Sequence, residues 1–230
     1  SSEGRDFAAV ETVSRKEIFG NNKRMVFMYP EINVKFLRLY NMVKKDAKDF
    51  LECNDTFSAN ALDKEPKFFS FETDDIIQEI NSKENTNCYA IDISAAYWSL
   101  AGNLFLRPET YELGKDDKPI RLKVLGALAT QKKIISYEAG VLVSSEVQRP
   151  ETAIMFFYLQ QEIDKLVKYC MVRYGCFGYW VDCVFNKSKY QSECVIEFFK
   201  EKGFSSKMKH VPFNYEVKGS CVYLNVGNGK

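Results

Sequence analysis

Apolar residues recur at three- and four-residue steps over Asn33–Glu52, where Phe36, Leu37, Tyr40, Val43, Ala47 and Phe50 mark one side and Lys44, Lys45 and Lys48 the other. That spacing predicts an amphipathic helix. The period returns over Glu151–Tyr174, the longest helical pattern of the chain, with Ile154, Phe157, Leu166 and Cys170 on or near one side. It returns again over Tyr190–Lys202, which Gly203 closes as a C-cap. Ile120–Ile135 reads as a further helix carrying Arg121, Lys123, Lys132 and Lys133, and Thr73–Ile80 as a short one capped by Thr73. Ser94–Leu100 reads as a helix or tight turn, while Cys53–Pro66 reads as a loop and Asn103–Pro119 as a polar stretch. Strand patterns fall on Met25–Tyr29, Cys88–Ile93 and Gly178–Phe185, the last as a strand or hairpin. Met208–Val217 and Cys221–Val226 alternate like the arms of a hairpin with Gly219 near its turn. Helices mixed with late hairpins predict an α+β fold, a largely antiparallel sheet packed on helices, rather than a doubly wound one.

Composition narrows the chemistry. Of 230 residues, 46% are hydrophobic, which excludes a disordered chain, and no apolar run approaches the roughly 20 residues of a membrane span. A soluble protein without a membrane partner is expected. Ser1–Arg24 is polar and lacks the apolar core of a secretory leader, and the chain begins without Met, as a trimmed or partial chain would. With 32 Lys+Arg against 31 Asp+Glu, bulk electrostatics cannot hold nucleic acid. Such a role would rest on local patches, Lys44–Lys48 and Lys123–Lys133.

The seven Cys form no CxxC pair and His210 is the only histidine, which fits neither a zinc module nor a disulfide scaffold. Reduced thiols and a cytoplasmic setting are expected. One histidine also argues against Ser/His/Asp and Cys/His catalysis. Carboxylates, lysines and hydroxyls remain.

Two aspartates stand out, Asp92 in Tyr89-Ala90-Ile91-Asp92-Ile93-Ser94 and Asp182 in Gly178-Tyr179-Trp180-Val181-Asp182-Cys183-Val184-Phe185. Asp is depleted from strands and costly to bury alone. If the two strands are neighbours, like charges converge and call for a cation between them, for which Mg²⁺ or Mn²⁺ suits oxygen-only ligands. The plainer reading is that each Asp caps a turn or meets a basic partner.

The order and spacing of these segments resemble the palm of family B DNA polymerases. The family's first motif, D-x-x-S-L-Y-P, is matched by Asp92-Ile93-Ser94-Ala95-Ala96-Tyr97-Trp98 at the Asp and the Tyr. Its second, K-x-x-x-N-S-x-Y-G, retains only a lysine, Lys123, in a helix that has lost the Asn, Tyr and Gly. Its third, Y-G-D-T-D-S-V-F, keeps the second Asp, the Val and the Phe in Asp182-Cys183-Val184-Phe185, with Trp180 where the first Asp would stand. A long helix before this motif, a helix after it and a terminal hairpin follow the palm's element order. The resemblance covers Cys88 to Val226, so the expected organisation is an N-terminal extension over 1–87, holding a strand and a basic amphipathic helix, a palm-like domain over 88–226 and a tail over 227–230. The short separation of Asp92 from Lys123 leaves no room for a long fingers insertion, and a thumb after the last strand is not expected.

The resemblance implies metal-dependent nucleotidyl transfer on DNA, with Asp92 and Asp182 holding Mg²⁺ or Mn²⁺ and deoxynucleoside triphosphates as substrates. It implies that Lys123, with Arg121 in reserve, contacts the triphosphate, that Tyr97 lies under the incoming sugar, and that Lys218 touches the primer end. The backbone amides of Ile93 and Ser94 would cradle phosphate oxygens. A partner supplying fingers and thumb functions and a phage or mobile-element origin, hence a host cytoplasm, are further expectations. The competing readings are a catalytically degenerate palm that binds nucleic acid or a replication partner and, more weakly, a metal-dependent nuclease.

Overall fold

Periodicity carries most of the helices into the structure. The computed structural model describes residues 7–11, 15–20, 23–28, 34–54, 69–71, 87–139, 141–218 and 221–226, with side chains from 34 to 213 among these. In chain order the elements are β1 (Phe7–Glu11), β2 (Arg15–Gly20), β3 (Lys23–Met28), α1 (Val34–Glu52), β4 (Phe69–Phe71), β5 (Asn87–Ile93), α2 (Ala96–Leu104), α3 (Pro108–Gly114), α4 (Lys118–Ala127), β6 (Lys132–Glu138), β7 (Val141–Gln148), α5 (Ala153–Tyr174), β8 (Gly178–Trp180), β9 (Cys183–Asn186), α6 (Lys189–Glu201), β10 (Ser206–Lys218) and β11 (Cys221–Val226). The fold is α+β with antiparallel sheets, as the pattern predicts. The helix expected over Thr73–Ile80 lies outside the described residues. No helix among the described residues is long and apolar enough to cross a membrane.

The chain divides into two units, each built from two stretches: Ser1–Asp63 with Leu100–Leu159, and Lys64–Ser99 with Gln160–Lys230. In the first unit the sheet order is β3-β2-β1-β6-β7, so Phe7–Glu11 pairs with Lys133–Tyr137, far along the chain. The helix expected over Ile120–Ile135 is therefore two elements. α4 ends at Ala127, and Lys-Lys-Ile-Ile-Ser-Tyr-Glu, rich in β-branched and aromatic residues, enters the sheet as β6 between β1 and β7. Lys132 and Lys133 thus lie on a strand. The polar stretch after Asn103 holds α3, which starts on Pro108 where a missing N–H does no harm.

α1 packs against α3 and α4. Its buried line is Phe36, Leu39, Val43, Asp46, Ala47 and Leu51, rotated from the expected side by Leu39 and Leu51. A carboxylate on that line is held by Arg107. Its Nε lies 3.3 Å from Asp46 Oδ1, its backbone N–H donates to Asp46 Oδ2 at 3.1 Å, and its guanidinium also pairs with Asp49. Asp117 caps α4 by accepting from the Ile120 N–H and takes the Lys35 ammonium at 2.9 Å, two bonds that lower its pKa.

The second unit carries the sheet order β11-β10-β5-β9-β8-β4, with β10 pairing to β5 through its first half and to β11 through its second. Alternation splits the sheet into two faces. On one lie Ile91, Ile93, Val184, Tyr179 and Asn186, all buried. Here the Tyr179 hydroxyl donates to Asp164 of α5 at 2.9 Å, and Asn186 Nδ2 donates to the Tyr174 carbonyl at 2.9 Å. α6, capped by Ser188 and ended by Gly203 at φ 83°, packs on β5, β9 and β10.

The other face begins with a core of Phe71, Phe177, Phe185 and Phe213 closed by Cys88, Ala90 and Val211. The four rings lie 5.1–6.3 Å apart in tilted and edge-on pairs. Gly178 makes this possible, because a Cβ there would come within 2.1 Å of Phe71 Cδ1.

Candidate functional site

The register of the second sheet decides where the aspartates go. Asp92 of β5 stands opposite Cys183 of β9, and Cys183 stands opposite Trp180 of β8. The two residues between Trp180 and Cys183, Val181 and Asp182, make the turn of that hairpin. Asp182 is therefore a turn residue beside the Asp92 position, not a residue in mid-strand as the sequence suggests. The Ile93 N–H donates to the Asp182 carbonyl at 3.0 Å, tying the turn to the end of β5.

The turn has an unusual backbone. Val181 adopts φ 56°, a left-handed conformation that a β-branched side chain disfavours by about 1–2 kcal/mol. Two-residue hairpins favour glycine at the first turn position for this reason. Ala95, three residues after Asp92, is left-handed as well, at φ 55°, and begins the entry into α2. Strained residues thus bracket both carboxylates, a pattern concentrated at functional sites.

Asp92 is exposed and Asp182 partly buried. Their charges meet at Cys183: burial pushes its thiol well above the ordinary range, and Asp92 and then Asp182 push it further. Tyr97, partly buried in the first turn of α2, is raised by burial first, then by Asp182 and Asp164. The phenol therefore stays neutral at physiological pH and keeps its proton to donate. Burial and its bond to Asp164 raise Tyr179 likewise.

Asp92, Asp182, Tyr97, Ile93 and Ser94 all belong to the second unit. The amides of Ile93 and Ser94 are committed there to the carbonyls of Asp182 and Ser205, the latter at 2.8 Å. The phosphate cradle expected from them does not form, since each carries one N–H and already gives it to a backbone carbonyl beside the sheet. Arg121 and Lys123 sit on α4 of the first unit. The Arg121 guanidinium donates to the Lys115 carbonyl, and Lys123 is exposed. Lys218 pairs with Cys221 across the last hairpin, and its side chain lies outside the described ones.

Lys207, which the sequence reading passed over, stands directly opposite Asp92 on β10. Opposed residues of an antiparallel pair share a face, so an exposed ammonium and a carboxylate occupy the same side of the sheet. The alternating run Ser-Lys-Met-Lys-His-Val held this signal, but only the register reveals its partner.

Among the described residues no group of three or more His, Cys, Asp or Glu could hold a metal ion. A pair of carboxylates still fits Mg²⁺, which keeps several waters and is commonly bound by one or two carboxylates plus substrate phosphates. It fits poorly a metal that needs a closed protein cage.

The thiols report this arrangement. Cys53 is exposed, whereas burial raises Cys88 to about 12 and lifts Cys170 and Cys183 as well. The thiolate is the nucleophile, so at pH 8, well below those raised values, the three stay protonated. Mass spectrometry after timed iodoacetamide labelling at pH 8 is expected to find Cys53 modified before Cys88, Cys170 and Cys183. Labelling of Cys183 at the rate of Cys53 would contradict its place between the carboxylates.

No family model matches the chain, and no curated protein or solved structure compared with it matches significantly.

Proposed function

We propose that the chain is a minimal palm-like nucleotidyltransferase acting on DNA with deoxynucleoside triphosphates, with Asp92 and Asp182 as its metal-holding carboxylates. The observation that carries this reading is the β5–β9 register, which sets Asp92 opposite Cys183 and so beside Asp182. Two negative charges at adjacent positions repel each other unless a cation joins them. Divalent ions bound there would help deprotonate an attacking hydroxyl and neutralise charge on a leaving pyrophosphate. Such chemistry depends mostly on positioning and electrostatics, which suits a site with few protein groups.

The chain's own residues supply the positioning. The Ile93 bond ties the Val181–Asp182 turn to the end of β5, which fixes the backbone that carries the two carboxylates. Tyr97, neutral and on the first turn of α2, is suited to lie under a sugar ring, as the resemblance to the polymerase palm implies. Lys207 gives the same face a positive group for a phosphate. A triphosphate role for Lys123 or Arg121, and a primer contact for Lys218, remain part of the proposal through the resemblance alone.

The second reading, a degenerate palm that only binds nucleic acid, is favoured by Trp180 standing where the polymerase motif has an Asp. Incubation with a labelled primer on a template, deoxynucleotides and Mg²⁺ distinguishes the two. Lengthening of the primer is the expected result. A primer left unchanged by protein that still retards it in a gel would replace the transferase with the binding module, and a shortened primer would indicate a nuclease.

A further inference from the structure

The second sheet carries a transverse row of directly opposed residues on one face: Phe69 of β4, Trp180 of β8, Cys183 of β9, Asp92 of β5 and Lys207 of β10. Facing residues in an antiparallel sheet point the same way, and neighbouring strands lie about 4.8 Å apart. The row therefore runs about 14 Å from the indole to the lysine and changes from aromatic to acidic to basic. Phe69 and Trp180 are stacked, with centroids 5.4 Å apart and planes 19° from parallel. Both rings are about half exposed, at 49% and 46%, although the next row inward, at Phe71 and Phe185, is buried core.

An exposed aromatic stack on an edge hairpin has an ordinary explanation as a cross-strand pair. Its neighbours on the face argue for more. Among the described residues the patch is only two rings wide, far short of the roughly 800 Å² per partner that a stable protein interface needs. Beyond it the row is charged rather than apolar, and Lys209 adds a second exposed ammonium two residues from Lys207 on the same side. A flat π surface with cationic groups farther along matches one ligand chemistry, a nucleobase joined to a phosphate backbone.

We infer that Trp180, backed by Phe69, is a stacking platform for an unpaired base of single-stranded DNA, whose phosphates run across the row toward Lys207 and Lys209. This deepens the transferase reading by naming how a strand is held beside the carboxylates, and it rests on that reading only for the chemistry at Asp92 and Asp182. It also explains how a chain of net charge +1 could grip DNA, since stacking contributes affinity that bulk charge cannot. Without a divalent ion, Asp92 opposes the passing phosphates.

The test uses the full chain and an octamer of deoxythymidylate. The chain has two Trp, and Trp98 is 2% exposed, so Trp180 dominates any quenching by a stacked base. Titration is expected to quench tryptophan fluorescence saturably, while an abasic oligomer of equal length leaves it unchanged. Trp180→Ala is expected to weaken binding, read by anisotropy of a labelled octamer, by about fivefold to a hundredfold, with Trp180→Phe keeping most of it. Trp180 is half exposed, so both variants should fold, which circular dichroism checks. Asp92→Asn is expected to keep the quenching even in EDTA while losing primer extension, so a failed transferase reading leaves the platform standing. Equal affinity of Trp180→Ala and the parent chain, or equal quenching by the abasic oligomer, would overturn the platform even if extension is intact.

Discussion

Asp182→Asn and Asp92→Asn are each expected to slow primer extension by about 10²–10³-fold, equivalent to about 3–4 kcal/mol of transition-state stabilisation. Asparagine preserves shape and removes the charge, so the loss isolates electrostatics from packing. Neither change should harm the fold, because Asp92 is exposed and Asp182 lies in a turn whose backbone carbonyl, not its carboxylate, accepts the Ile93 N–H. Each substitution also changes the ionic contacts of its residue, Lys207 opposite Asp92 among them, so circular dichroism and the melting temperature without metal serve as the control for folding. Ion binding gives a second readout: Mg²⁺ should raise the melting temperature of the parent by linkage and leave the variants unmoved. Extension by Asp92→Asn at the parental rate, or an equal Mg²⁺ shift in all three proteins, would remove the carboxylates from the chemistry.

Phe185→Ala tests the floor under the site. Phe185 is 3% exposed, and its ring meets those of Phe71, Phe177 and Phe213 at 5.4–6.3 Å. Truncation removes a ring that meets the three others, whose backbones belong to β4, to β10 and to the segment before β8, so collapse of the cavity is not expected. A loss of about 3–5 kcal/mol is expected, which in a chain of this size lowers the melting temperature by roughly 10 °C. Phe185 sits two residues from Cys183 on the same face, so the damage should also reach the Asp92–Cys183 row. The check is chemical denaturation together with iodoacetamide labelling, in which Cys183 should become faster. A loss below about 1 kcal/mol would mean that the rings do not pack as one core.

How far the chain could be read differs from element to element. α1 was legible because its period is local: Phe36, Val43 and Ala47 recur within a few turns of one helix. Even there Asp46 could not be understood, since the residue that neutralises it, Arg107, comes from another helix. The Ile120–Ile135 segment misled for a related reason. Its apolar positions suit a helix throughout, and what turns Lys132–Glu138 into a strand is the pairing with Phe7–Glu11 and Val141–Gln148. The site divides in the same way. The two aspartates were visible as anomalies in apolar runs, and Cys183 between them as part of a motif. Lys207, Phe69 and the stacked face of Trp180 were not, because each acquires its meaning from a partner on another strand.

The sequence by itself determined the α+β class, most helix spans, the closing hairpin, the absence of a long apolar run and the two aspartates worth attention. All of these follow from side-chain period and from residue types out of place within a few positions. Only the tertiary structure decided that Asp182 belongs to a turn, that the Ile93 and Ser94 amides are already bonded, and that Phe69, Trp180, Cys183, Asp92 and Lys207 form one row. Strand register is set by contacts between distant segments, and a shift of one residue would send each of these side chains to the opposite face. Such a choice is made by the whole sheet and its core, and no local pattern contains it.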